Sequence, residues 1–174
     1  MLHELRNSAL ATFLALLTLL SGCAKAPTQP PVTNVELSLT VQPSVGEPSN
    51  PVSVELQAVN AGQTQIWHCE GCGCGNGTSL TVLDPSGSAV ALTDPKALPP
   101  ACPDGRAPLA PHGVLANGLR FTGVLYERDS PVFPSPTYAA PAGLYTVVAG
   151  FSYSKEQAGE WIPTSRVTTF TWKP

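Results

Sequence analysis

Tyr145-Thr146-Val147-Val148-Ala149-Gly150-Phe151 and Val167-Thr168-Thr169-Phe170-Thr171-Trp172 decide the fold of this chain. Both runs are dense in β-branched and aromatic residues, which fit a pleated, half-buried surface better than a helix. Upstream, Val35-Glu36-Leu37-Ser38-Leu39-Thr40-Val41 and Val52-Ser53-Val54-Glu55-Leu56-Gln57-Ala58 alternate apolar and polar with period two. Pro43 and Pro51 bracket the connection between them, which no helix can cross. Shorter strands are expected at Thr64–Trp67, at Leu80–Leu83 and at Ala89–Leu92, the last two joined by the Asp84-Pro85-Ser86-Gly87 turn. Leu119–Leu125 alternates once more. About eight strands separated by turn residues predict an all-β, two-sheet antiparallel sandwich.

Composition agrees. The chain has 174 residues, of which 34 are Pro (19) or Gly (15), so an α-helical bundle is excluded. Hydrophobic residues make up 43%, enough for a packed core. Nine basic residues against 12 acidic give a formal charge of −3, which argues against nucleic acid as a partner. The single Met, at position 1, excludes a Met-rich copper surface. No nucleophile elbow, P-loop, HExxH or EF-hand loop occurs, so neither an enzyme nor a resident cofactor is predicted.

The N-terminus reads as an address. Ala9–Leu20 is an apolar run of 12 residues, too short to span a bilayer and suited to a secretory signal. Leu20-Ser21-Gly22-Cys23 follows it directly and resembles the lipobox of bacterial lipoproteins. That resemblance implies a signal peptide over 1–22 and a Cys23 acylated on its sulfur. It also implies a protein held outside the cytoplasm on the bacterial membrane. Residues 23–33, with Pro27, Pro30 and Pro31, form a stiff tether, and 34–174 form the domain.

Ala140-Pro141-Ala142-Gly143-Leu144-Tyr145-Thr146-Val147 resembles the start of the penultimate strand of immunoglobulin-like sandwiches. In that family the Tyr hydroxyl closes a tyrosine corner and the second residue after it points into the core. Trp67 would be the core tryptophan, and Val147 stands where the family carries its second cysteine. The order Leu56-x-x-x-Asn60-x-Gly62, Leu80-Thr81-Val82, Asp84-x-x-Gly87, Pro111-His112-Gly113 and Gly143-x-Tyr145 is also similar to the intracellular proteinase inhibitor (BsuPI-like) family. That resemblance covers roughly Val35–Trp172 and implies a binding or inhibitory role, although neither the cysteine cluster nor secretion belongs to the family pattern.

With Cys23 assigned to lipid, Cys69, Cys72, Cys74 and Cys102 remain. An even count outside the cytoplasm is first read as two disulfides. Joining Cys72 to Cys74 would close a very tight ring, so Cys69 or Cys72 is expected to bond Cys102, with the others paired locally. Such a bridge would staple Thr93–Ala116, which carries six prolines and no strand pattern of its own. The alternative is a Cu(I) or zinc site in His68-Cys69-Glu70-Gly71-Cys72-Gly73-Cys74, serving metal binding or sensing. Against it, the fourth cysteine stands alone, and His68 and Cys69, adjacent on a strand, would face opposite ways. A redox-active CxxC lacks its usual βαβ context. His112 is expected in an exposed turn, Asp84, Asp94 and Asp104 in turns, and Asn76-Gly77-Thr78 in a hairpin turn.

The last feature is Arg128–Tyr138, an extended, proline-stiffened segment carrying Phe133 and Tyr138. A preordered loop loses little entropy on docking, so this is the candidate binding loop, its partner a protease or another envelope protein. The competing expectation has both aromatics folding back to cap the open end of the sandwich. A purely structural surface protein is the third reading of the chain.

Overall fold

A computed structural model describes residues 35–71, 76–97 and 105–174. The signal peptide, Cys23, the tether, Cys72, Cys74, Cys102 and Asp104 lie outside the described residues. Among the described residues eleven strands run in order: β1 (Val35–Gln42), β2 (Val45–Gly46), β3 (Val52–Asn60), β4 (Ile66–Glu70), β5 (Thr78–Leu83), β6 (Gly105–Leu109), β7 (Val114–Phe121), β8 (Val124–Tyr126), β9 (Thr137–Ala139), β10 (Gly143–Ser154) and β11 (Ile162–Trp172). One sheet is β1-β3-β7; the second is β2-β11-β10-β4-β6, with β5 also on β10; β8 and β9 form a separate hairpin. The chain changes sheets between β1 and β2, since β1 pairs antiparallel with β3 while β2 pairs parallel with β11. This is the two-sheet β-sandwich that the alternation predicts.

Period-two patterning sets the core. On β3, Val52, Val54, Leu56 and Ala58 are buried and the residues between them are exposed; on β10, Tyr145, Val147, Ala149, Phe151 and Tyr153 are buried and the residues between them half-buried. Each such side chain contributes about 1.5–3 kcal/mol by leaving water. Two buried clusters result, and Leu39 and Leu80 pack against both, so the core is continuous. At one end Phe121 is ringed by Tyr145, Phe170 and Trp172 at centroid distances of 4.9, 5.0 and 5.0 Å.

The tyrosine corner is present: the Tyr145 hydroxyl donates to the Pro141 carbonyl at 2.9 Å, and Val147 lies in the core. Burial first, then the negative charge of Asp84 and the neighbouring Tyr138, push the Tyr145 phenol up to about 12. A raised pKa means the folded state favours the neutral phenol. Its stabilising effect is therefore complete below the unfolded value near 10 and is lost as pH rises through about 12. Alkaline unfolding followed by circular dichroism should steepen between those values, and Tyr145→Phe should remove that part of the pH dependence.

Several expectations are corrected. The third strand begins at Ile66, not Thr64, and Trp67 is only half-buried; the core tryptophan is Trp172. Ile66 and His68 take the inward positions of β4, which leaves Trp67 on the other side. Leu119–Leu125 is not one strand. Gly123 adopts φ 77°, a conformation that L side chains rarely take, and the chain breaks there into β7 and β8. Ala89–Leu92 makes only isolated bridges, Ala89 to Leu83 and Ala91 to Tyr126. Thr93–Ala116 does contain strand: β6, paired with β4, and the start of β7.

Candidate functional site

The sheet register places the two strands that flank the cysteine segment, β4 ending at Glu70 and β5 beginning at Thr78. Tyr153 of β10 pairs with His68 and Phe151 pairs with Thr78. Two steps along β10 thus correspond to ten along its neighbour, so β4 and β5 form one strand line interrupted by an excursion of eight extra residues. They run in the same direction, and Asn76-Gly77-Thr78 is not a hairpin turn but the point where the chain rejoins the sheet. Asn76 Oδ1 accepts from the Thr78 amide and hydroxyl, and Asn76 Nδ2 donates to the Ala116 carbonyl at 3.1 Å. Gly77, at φ 78°, packs so close to the Cys69 backbone that an added Cβ would lie 3.1 Å from its carbonyl.

Cys69 is buried and is not a free thiol. Its neighbour His68 is buried too. His68 Nδ1 lies 3.1 Å from the Asn76 carbonyl and 3.4 Å from the Cys69 carbonyl. Both neighbours are acceptors, so Nδ1 carries the proton, and in the neutral ring the lone pair sits on Nε2. No group of three or more His, Cys, Asp or Glu that could hold a metal ion occurs among the described residues.

Residues 127–136 leave β8 and return to β9. The Glu127 amide donates to the Pro136 carbonyl at 2.8 Å and closes the neck. Asp94, 41 residues upstream, pins the loop from below: its carboxylate accepts the Ser135 amide at 2.9 Å and the Ser135 hydroxyl at 2.7 Å, besides the Lys96 amide at 2.9 Å. Desolvation pushes the Asp94 carboxyl upward, but those hydrogen bonds, with the Lys96 charge, outweigh it and hold it below the usual carboxylate range. Ser130 is buried as well, and its hydroxyl accepts the Val132 amide at 3.2 Å.

The loop is therefore inverted in polarity. Its serines are inside, while Val132 is 55% and Phe133 68% exposed at the tip. Tyr138, on β9, is 49% exposed. The two aromatics do not fold back as a cap. The segment joins candidate residues with supports that the sequence did not single out, Asp94 and Ser135 above all. Elsewhere, His112 sits in an exposed turn, and Asp84 accepts the Ser86 and Ser88 amides, both as expected.

A second site was not anticipated. Arg106 on β6 stacks over Trp161 at 4.3 Å and donates to the Gly159 carbonyl at 2.9 Å, which fixes the β10–β11 loop against β6.

No protein-family model matches this chain, and no curated protein does. Among solved structures, a β-glucosidase from Erythrobacter marinus is similar at 10% identity and TM-score 0.42, over 80% of this chain and 15% of that one. A β-glucosidase from Listeria innocua in complex with glucose is similar at 12% identity and TM-score 0.42, over 80% and 16%. The β-D-glucoside glucohydrolase of Trichoderma reesei gives 15% identity and TM-score 0.35, over 80% and 18%. The chain thus spans less than a fifth of each of those enzymes. Likeness at these scores carries no argument about function.

Proposed function

We propose that this protein is a non-enzymatic binding module, lipid-anchored through Cys23 outside the cytoplasm, which engages another macromolecule through the 127–136 loop. The observation that carries the reading is the inverted polarity of that loop: buried serines, a carboxylate pin and an exposed Val132-Phe133 tip. Three prolines, Pro131, Pro134 and Pro136, add stiffness by fixing φ. A loop so constrained pays little ordering entropy on docking, as an inhibitory or partner-binding loop must. An aromatic anchor offered to a pocket is also the residue type that dominates binding energetics. The cysteines are assigned to disulfide staples, which the engaged state of Cys69 supports.

The inhibitor version predicts that the purified protein slows a protease. Phe133→Ala combined with Tyr138→Ala should then weaken inhibition at least about 100-fold, the loss of some 3 kcal/mol expected for truncating two anchors. Both side chains are exposed, so the melting temperature should hardly move. Inhibition that survives both replacements rejects the loop. The second reading, envelope metal binding, draws on His68: a ring held by Nδ1 on a backbone carbonyl is oriented as metal-ligating histidines are. It requires stoichiometric metal that disappears when Cys72 and Cys74 become Ser.

A further inference from the structure

A groove of 1220 Å³ runs along β5 and β7. β7 is an outer strand of its sheet, and among the named strands β5 pairs only with β10, so the sandwich is open on this side. Hydrogen bonds mark the two ends. At one, His68 and Asn76 meet just before β5 begins at Thr78. At the other, the Val90 amide donates to the Val82 carbonyl and the Tyr126 amide to the Ala91 carbonyl, both at 2.9 Å, which brings in Arg128 two residues on. The floor between is apolar: Leu80, Leu115 and Leu119 are half-buried there and pack on the core. Among the described residues that border the groove two carry charge, Glu70 at the first end and Arg128 at the second. Both are exposed, and neither forms an ion pair with a described residue. The charges beside the groove are committed elsewhere, Arg106 to Trp161 and the Gly159 carbonyl, Asp94 to Ser135 and to Lys96. His68 is 6% exposed. Its Nδ1 is held by the Asn76 carbonyl and no described residue bonds Nε2, so the lone pair is left at the Glu70 end.

We propose that this groove binds a short apolar peptide with free ends, its ammonium at Glu70 and His68 and its carboxylate at Arg128. Charge selects this occupant. A carboxylate and a neutral imidazole acceptor at one end call for a cation that donates. The guanidinium at the other end calls for a carboxylate, which it can grip with two parallel hydrogen bonds. Only a ligand carrying both charges, with an apolar body between them, answers all three features. Length follows from β5. Thr78 to Leu83 spans about 17 Å at about 3.3 Å per residue, the reach of about five extended residues. The β7 edge argues against an internal stretch of a longer protein, because side chains blunt it. Asn76 Nδ2 occupies the Ala116 carbonyl and Asn117 Oδ1 the Gly118 amide, at 3.1 and 2.8 Å, so an added strand finds ladder partners already taken. Recognition therefore lies at the ends of the peptide. Phe133 does not border this groove, and the site stands whether or not that tip binds a partner.

Isothermal titration of the full chain with the pentapeptide Leu-Ala-Val-Ala-Leu tests this. Binding is expected with a dissociation constant on the order of 10 μM, weakening as salt is raised. Acetylating the amino end or amidating the carboxylate should each weaken it at least about fivefold. Glu70→Gln should weaken the free peptide by the same factor yet leave the acetylated one unchanged, and Arg128→Gln should do the same with the amidated one. Losses paired in this way cannot come from misfolding. Arg120→Gln, outside the groove, should change nothing. No binding at about 1 mM overturns the proposal. So does equal binding of free and capped peptides, a Glu70→Gln variant that weakens both alike, or a loss in Arg120→Gln. A longer chain that carries the same five residues internally and binds as tightly would assign the groove to a protein segment and overturn it equally.

Discussion

Trp172→Ala should cost roughly 3–5 kcal/mol of stability, the range for deleting a large aromatic from a packed core. Trp172 is fully buried, edge-on to Phe121 at 78° with centroids 5.0 Å apart, and paired through its backbone with Gly46 of β2. Two glycines make room for the indole. A Cβ on Gly123 would fall 2.0 Å from the Trp172 ring, and one on Gly46 would fall 3.1 Å from it. Nothing else can refill that volume without moving β2 and the β7–β8 break together. Thermal unfolding should drop by about 10–15 °C for a domain of this size. Trp172→Phe should be far milder, about 1–2 kcal/mol. Among the described residues the buried indole Nε1 has no hydrogen-bond partner, so its loss removes an unsatisfied donor along with the packing. A Trp172→Ala protein within about 1 kcal/mol of the parent would mean that the core is not centred there.

Asn60 is expected to be nearly as costly, for a polar reason. Its side chain is buried at the end of β3. Nδ2 donates to the carbonyls of Thr64, Leu109 and Ala110 at 2.9, 3.1 and 3.1 Å, and Oδ1 accepts the Gly62 amide at 3.1 Å. Its backbone exchanges hydrogen bonds with His112 and Gly113. One residue thus ties the β3–β4 turn to the β6–β7 turn. Asn60→Ala strands these groups and should cost about 3 kcal/mol. Asn60→Asp is the sharper case. It conserves shape, but it puts an acceptor, buried and negative, where a donor faces three carbonyls. Denaturant unfolding should show it at least as damaging as Ala; an Asp variant close to wild type would refute this role for Nδ2.

Much of the fold was legible because its information is local. The alternation of Val35–Val41, Val52–Ala58 and Tyr145–Phe151 marks β1, β3 and β10, and the tyrosine corner follows from Gly143-x-Tyr145. What escaped depends on partners distant in sequence. β6, Gly-Arg-Ala-Pro-Leu, has no pattern of its own and is strand because β4 accepts it. That β4 and β5 are one interrupted line appears only in their register on β10. The immunoglobulin-like resemblance points to Trp67 as the core tryptophan, but Trp67 is half-buried. Its phase is set instead by Ile66, which fills the core beside Ala149 and Phe151. In the candidate site, the aromatics Phe133 of the 127–136 loop and Tyr138 of β9 were visible. The burial of Ser130 and Ser135 was not, because Asp94 pins the loop from a segment that sequence patterning leaves featureless.

The central claim is that the cysteines staple the domain and leave binding to the loop. It is tested most directly by intact mass of the chain from Ala24 onward, alkylated with and without prior reduction, alongside a metal assay. The account predicts that Cys69, Cys72, Cys74 and Cys102 all resist alkylation until reduced, and that no stoichiometric metal is present. Free thiols before reduction, or one bound ion per chain, would contradict it and move the function to the excursion between β4 and β5.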